Sequence, residues 1–242
     1  MKVIVIIPAA GLGTRMAPVP SGKSSKAAPS KQFTELGGTP ILLHTLRRFA
    51  AMPEVSSICV ALRANEIEGF RKRLEKEAKD LLQKKIQLVE GGEHRQHSVA
   101  NALAVISGSD DDLVLVHDAV RPLVTPEIVR EVIQAAQKYG AAIAGFPATD
   151  TVKMVDRTAE GAVITATVPR EKVVMAQTPQ GFRYGVIKKA FDEAAADGFV
   201  GTDEAALVER SGHPVAVVMG SPRNIKITTP ADMELAEFYL KH

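Results

Sequence analysis

Short apolar runs alternate with longer amphipathic stretches along most of the chain. Residues 3–7, 57–62, 86–89, 113–117 and 141–146 are apolar and rich in β-branched side chains, the pattern of strands covered on both faces. Between them, residues 41–51, 67–82, 98–106 and 126–139 read as helices. Thr125 followed by Pro126 supplies an N-cap and a proline suited to the first helical position. Strand–helix alternation predicts an α/β fold, Rossmann-like, with a mainly parallel twisted sheet and helices on both faces.

The rhythm changes near residue 149. Residues 149–155 and 162–168 are β-rich and flank a polar turn at 156–161, which predicts a hairpin. A lone two-stranded hairpin is marginal in water, so this one is expected to pack on something, most economically on a second copy of the chain. A strand at 173–176, helices at 186–196 and 204–211, a strand at 215–218 and a last helix at 231–240 follow. Without a linker or repeat, the expected organisation is one domain over 1–242, with 148–171 as a protruding arm for dimerisation.

Composition narrows the function classes. Apolar residues make up 45% and charged residues 24% of the 242, which excludes disorder of the whole chain. A net charge of +2 gives no reason to expect a nucleic-acid surface. One cysteine excludes an internal disulfide framework and a cysteine zinc site. No apolar run reaches the ~20 residues of a membrane span, and the run at 3–13 lacks a basic lead-in. The cytoplasm is the expected compartment. The charged stretch 66–85 reads as a solvated helix face, Cys59 as a core residue, and Asp110–Asp112 as a solvated turn.

Candidate chemistry concentrates after the first strand, at Pro8-Ala9-Ala10-Gly11-Leu12-Gly13-Thr14-Arg15-Met16. A glycine loop in that position is where α/β folds place phosphates, because glycine lets backbone N–H groups approach an anion. Met16 stands where a dinucleotide fingerprint needs its third glycine. A near-match to a P-loop ends in Gly22-Lys23-Ser24, but Ala17 replaces its first glycine and Pro18 and Pro20 interrupt it. What remains is a glycine loop followed by the cations Arg15, Lys23, Lys26 and Lys31. His94 and His97 have a spacing that alone is weak evidence for a metal.

The loop together with Ser30-Lys31-Gln32-Phe33 resembles the opening of the cytidylyltransferases of the isoprenoid pathway, those acting on 2-C-methyl-D-erythritol 4-phosphate. The resemblance covers the whole chain. Its further motifs are 91–99 (GGEHRQHSV), 116–122 (VHDAVRP), 150–153 (DTVK), 178–180 (TPQ), 202–205 (TDEA) and 224–228 (NIKIT). Each is weak alone; the ordered set is specific.

The resemblance implies attack by an acceptor phosphate on the α-phosphorus of CTP, with pyrophosphate leaving. It implies Arg15, Lys31 and Lys226 as catalytic cations, and Ala9, Ala10, Gly11, Gly13, Gly92 and Ser98 as CTP-binding positions. Asp118 and Arg121 are implied to bind the acceptor's hydroxyls, and Asp118 also to help hold Mg²⁺ or another divalent cation. Thr151, Arg170 and Thr202 match acceptor contacts, with Thr151 and Arg170 reaching the site of the other subunit. Thr178 would contribute or brace its strand, and Glu93 and Arg95 would support the loop or the ligand. A homodimer with shared active sites is thereby implied, with small-molecule substrates and neither nucleic acid nor membrane as partner. D-ribitol 5-phosphate as acceptor, or a non-catalytic nucleotide-binding module, are the competing readings.

Overall fold

The computed structural model describes residues 1–11 and 30–242. Arg15, Gly13, Lys23 and Lys26, named from the sequence, lie outside the described residues. The elements run in the order β1 (Val3–Pro8), β2 (Glu35–Leu36), β3 (Thr39–Pro40), α1 (Ile41–Ala50), β4 (Ser57–Leu62), α2 (Ala64–Glu77), β5 (Lys85–Glu90), α3 (Arg95–Val105), β6 (Leu113–Val116) and α4 (Pro126–Tyr139). They continue through β7 (Ala141–Pro147), β8 (Val152–Thr158), β9 (Gly161–Val168), β10 (Val174–Arg183), α5 (Tyr184–Ala196), α6 (Glu204–Arg210), β11 (Ala216–Met219) and α7 (Pro230–Lys241).

Seven strands form one sheet in the order β11-β7-β10-β6-β1-β4-β5. All neighbours pair in parallel except β10, which runs antiparallel to both β6 and β7. The continuous apolar runs exist because both faces are covered. On β1, Val3, Val5 and Ile7 enter one core with α1, α2 and α4, whereas Ile6 enters the other with α3, α5 and α6. On β6, Leu113 and Leu115 face the first core, and Val114 and Val116 the second. Burying each such side chain contributes about 1.5–3 kcal/mol.

Thr125 caps α4, its hydroxyl accepting from Ile128 N, and Pro126 follows as the sequence pattern predicts. Gly140 ends that helix at φ +86°, a left-handed conformation that favours glycine. Some elements differ from the sequence expectation. The helix expected over 67–82 ends at Glu77, and a short 3-10 turn carries 79–83. The strand expected at 173–176 extends to Arg183 through a bulge between Ala176 and Gln180, where the Thr178–Pro179 bond is cis. The hairpin turn is shorter than expected, leaving only Ala159 and Glu160 between β8 and β9. Asp112 is not solvated: it is buried and accepts from Lys2 N at 2.6 Å and Ser109 N at 2.9 Å. The backbone contacts hold its carboxyl below the ordinary carboxylate range, with burial opposing them.

The topology fixes where a ligand can sit. From β1 the sheet grows one way through β4 and β5, then returns to β6 on the other side of β1. The carboxyl ends of β1 and β6 therefore flank a topological switch point, where open α/β sheets form a binding crevice.

Candidate functional site

Both edges of that crevice are extensions of the strands. Past β1, Ala9 N donates to Ala61 O at 2.7 Å, so the start of the glycine loop is still held by the sheet. Gln32 Nε2 donates to Ala9 O at 2.5 Å, and Arg63 Nε donates to Ala10 O at 3.0 Å. Ser30 Oγ donates to Glu66 Oε1 at 2.5 Å. Together these bonds fix 9–11 and 30–32 against the start of α2. The resulting cleft encloses about 140 Å³, and Ala9, Ala10, Gly11, Lys31, Gly92, Ser98, Asp118 and Lys226 are among its lining residues.

Gly91 N donates to Leu62 O at 2.6 Å, which extends the β5 edge. A Cβ on Gly91 would lie 2.5 Å from Ala10 Cβ, and one on Gly92 would lie 2.3 Å from His97 Cβ. Glycine is required at both positions for the loop to lie this close to α3 and the Ala10 turn. The Ser98 hydroxyl is buried and accepts from Gly92 N at 3.1 Å. It shapes the loop whose backbone the resemblance assigns to the base.

Asp118 follows β6 and is 6% exposed. Its Oδ1 accepts from Arg95 Nε at 3.3 Å; its Oδ2 accepts from Arg121 Nε at 3.3 Å and from Lys226 Nζ at 3.0 Å. Burial pushes this carboxyl up, but Arg95, Lys226 and Arg121 together hold it well below the ordinary range. Lys226 is delivered by a pinned segment. Arg121 Nη1 donates to Asn224 O at 2.6 Å, Asn224 Nδ2 to Thr178 O at 2.9 Å, and Ile227 N to Val120 O at 2.9 Å.

His117 supports Asp118 from below. Asp118 N donates to Thr178 Oγ1 at 3.1 Å, and that hydroxyl in turn lies 3.1 Å from His117 Nδ1. His117 Nε2 lies 3.0 Å from Arg121 O, an acceptor only. The proton is therefore on Nε2, and Thr178 donates to Nδ1. Full burial pushes the imidazole pKa down to about 4, keeping it neutral. Thr178 thus braces the site and does not line the cleft.

On the other side, both oxygens of Glu204 accept from Arg95 Nη1. Burial raises the Glu204 carboxyl while Arg95 opposes the shift. The sequence alone gives Glu204 no role, because nothing in 202–205 says which cation it meets across the fold. Gln32 and His117 are hidden for the same reason.

Among the described residues, four predicted positions do not line this cleft: Arg121 stands behind Asp118, and the other three lie further off. Thr202 is exposed in the turn before α6. Thr151 and Arg170 are exposed at the ends of the β8–β9 hairpin, where Arg170 Nη1 donates to Thr149 O at 2.8 Å. His94 and His97 have ring centroids 5.3 Å apart. Among the described residues, no group of three or more His, Cys, Asp or Glu side chains could hold a metal ion. The carboxylates that line the cleft are Glu93 and Asp118, hard oxygen donors of the kind Mg²⁺ takes.

The hairpin carries exposed apolar side chains: Met154, Val155, Val163 and Ile164. Val174 and Met175 on β10, and Val217 and Met219 on β11, are also exposed. A Cβ on Gly145 of β7 would meet Val174 Cγ1 at 2.4 Å and Val217 Cγ1 at 3.0 Å, so Val174 and Val217 share one face of the sheet here.

A family model described as IspD: 2-C-methyl-D-erythritol 4-phosphate cytidylyltransferase matches residues 3–242. The chain is 56% identical over 241 residues to a protein of that name from Acidobacterium capsulatum, covering 100% of this chain and 98% of the relative. It is 52% identical over 242 residues to the Solibacter usitatus protein of the same name, covering 100% and 96%. Among solved structures, the Thermus thermophilus enzyme of that name is similar, with a TM-score of 0.77, 34% identity and full coverage of both chains. The Francisella tularensis enzyme gives a TM-score of 0.78 at 36% identity, covering 98% of this chain and 99% of that one.

Proposed function

Because the chain belongs to the 2-C-methyl-D-erythritol 4-phosphate cytidylyltransferase family, its reaction is CMP transfer from CTP to that acceptor in the non-mevalonate isoprenoid pathway, and we propose that the Asp118 cleft holds both substrates. The products are 4-diphosphocytidyl-2-C-methyl-D-erythritol and pyrophosphate. The observation that carries this assignment is a single buried carboxylate, Asp118, set among Arg95, Arg121 and Lys226 at the switch point beside Lys31.

A phosphomonoester dianion is already a nucleophile near neutral pH, so the protein's task is positioning and charge neutralisation. CTP lies along Ala9, Ala10 and Gly11, with its base towards Gly92 and Ser98. Lys31 and Lys226 neutralise its phosphates, joined by Arg15, while Gly13 is a further CTP-binding position; Arg15 and Gly13 lie outside the described residues. Asp118 and Arg121 orient the acceptor, the carboxylate accepting from polyol hydroxyls. The acceptor phosphate then attacks the α-phosphorus in line with the departing pyrophosphate. Mg²⁺ supplies charge neutralisation on the triphosphate when bound; Asp118 is the residue that would help hold it.

The active unit is a homodimer of single-domain chains, with 148–171 as the arm. The exposed apolar residues of the hairpin and the adjacent sheet edge support this, since a pair of copies covers them. In that arrangement Thr151 and Arg170 bind the acceptor phosphate at the partner's site, which accounts for their distance from this chain's cleft. Thr202 completes the acceptor contacts. Among the described residues, no helix is long and apolar enough to cross a membrane. The compartment of this reading is the cytoplasm, where CTP is at hand.

The test is pyrophosphate release with CTP and Mg²⁺, comparing 2-C-methyl-D-erythritol 4-phosphate with D-ribitol 5-phosphate. Release with the first alone is expected. Release with the second alone keeps the chemistry and overturns the acceptor. CTP binding with no release on either returns the chain to a binding module.

A further inference from the structure

Glu204 is 1% exposed, yet it belongs to a short helix on the rim of the cleft. Its position is set from the middle of the sheet. Gln180, on β10, donates through Nε2 to Asp203 Oδ2 at 2.8 Å and accepts through Oε1 from Ala205 N at 3.0 Å. These two bonds grip the residues on either side of Glu204. The carboxylate then meets Arg95 Nη1, and Arg95 Nε reaches Asp118 Oδ1 at 3.3 Å. A second tie joins the same segments: Gln96 Oε1 accepts from Gly201 N at 2.9 Å, and its Nε2 donates to Phe199 O at 3.0 Å. An unbroken polar chain therefore runs from the sheet through Glu204 and Arg95 to the acceptor side of the cleft.

Stability is a poor account of this arrangement. A buried ion pair adds little over well-packed apolar residues of similar volume, because both charges lose their water. What the pair does supply is direction. Arg95 opens α3, directly after the loop at Gly92, and without a fixed anion behind it a long flexible side chain would sample several rotamers. We propose that Glu204 is a positioning residue for the acceptor: it anchors Arg95, which holds one oxygen of Asp118 while Arg121 and Lys226 hold the other. The carboxylate plane is thereby fixed for the polyol hydroxyls. This inference rests on Asp118 binding the acceptor, and deepens that reading.

The experiment compares Glu204→Gln, Arg95→Met and the double variant Arg95→Met/Glu204→Leu, with Asp118→Asn alongside, in steady-state assays of both substrates and in thermal unfolding. Glu204→Gln and Arg95→Met are each expected to raise the acceptor KM at least tenfold and to leave the CTP KM within twofold. Arg95→Met strands the buried Glu204 carboxylate, Glu204→Gln leaves the half-buried Arg95 with Asp118 alone, and either can impair folding; the double variant removes both charges and is expected to recover wild-type thermal stability. Its acceptor KM should match that of Arg95→Met, because residues acting through one another are not additive. A double variant that regains the wild-type acceptor KM together with its stability would reduce the pair to a structural role and overturn the inference. Losses that multiply, or an unchanged acceptor KM in a folded Glu204→Gln, would overturn it too. If Asp118→Asn spares the acceptor KM, the underlying assignment of Asp118 fails and this inference falls with it; if Asp118→Asn raises that KM while Glu204→Gln does not, only the role of Glu204 falls.

Discussion

Asp118 shows how three cations decide the behaviour of one carboxylate. Its folded pKa lies below the unfolded value near 4. The stability this shift contributes is fully present above the ordinary carboxylate range and is lost only as pH falls through the lower folded value. Asp118 therefore stays ionised wherever the enzyme is assayed, and the acid limb of kcat/KM should come from the acceptor phosphate, near pH ~6. A limb well below that value, abolished by Asp118→Asn, would contradict this. His117 has a linkage of the same sign in a higher pH window. A base whose pKa is pushed down to about 4 binds its proton in the unfolded chain first, so stability is lost as pH falls from ~6.5 towards 4. The slope should approach 1.4 kcal/mol per pH unit in that window. Urea unfolding at pH 7 and pH 5 measures it, and His117→Gln should flatten it. Lys226→Ala should lower kcat by about 10²–10³-fold, or ~3–4 kcal/mol, as loss of one well-placed donor does, with little change in melting temperature because Asp118 Oδ2 still accepts from Arg121 Nε.

At the scale of elements, the β8–β9 hairpin is the part with least support from its own chain. Its two strands are almost wholly exposed, and the apolar Val163 and Ile164 face outwards. Replacing Ile164 by Asp should shift sedimentation towards a monomer and abolish turnover while leaving the central sheet folded. Arg170→Ala should weaken acceptor use with little change in CTP binding. A sharper check mixes chains: Arg170→Ala combined with Lys226→Ala should recover activity in the mixed dimer, because one of its two sites then draws both residues from intact copies. No recovery would mean that each chain uses its own Arg170. Elements also decide what Ser98 can do. Because its hydroxyl is spent on the Gly92 loop, Ser98→Ala should raise the CTP KM by loosening that loop, even though the lost group is small.

For the whole molecule, the layers were legible in the sequence and the cross-links were not. Runs such as 3–7 and 57–62 read as buried strands because both faces of the sheet are covered, and Thr125-Pro126 fixed the start of α4 to the residue. The motifs named most of the lining of the cleft, including Lys31, Gly92, Asp118 and Lys226. The sequence pattern missed the antiparallel run of β10 beyond Ala176, because Thr178, Pro179 and Gln180 are not strand-like. They lie in the sheet for the sake of what they brace. The burial of Asp112 was invisible for a similar reason: its partner Lys2 is 110 positions away. Tertiary pairing of polar groups leaves no periodicity to read. The placing of Lys226 also bears on how the protein is made. Met219 ends the last strand of the sheet, whereas Lys226 comes only afterwards. A chain emerging from the ribosome can thus complete every strand of the sheet when, of the three cations that meet Asp118 among the described residues, just the two arginines have been made. The last of the three cations around Asp118 is added only after the final strand of the sheet.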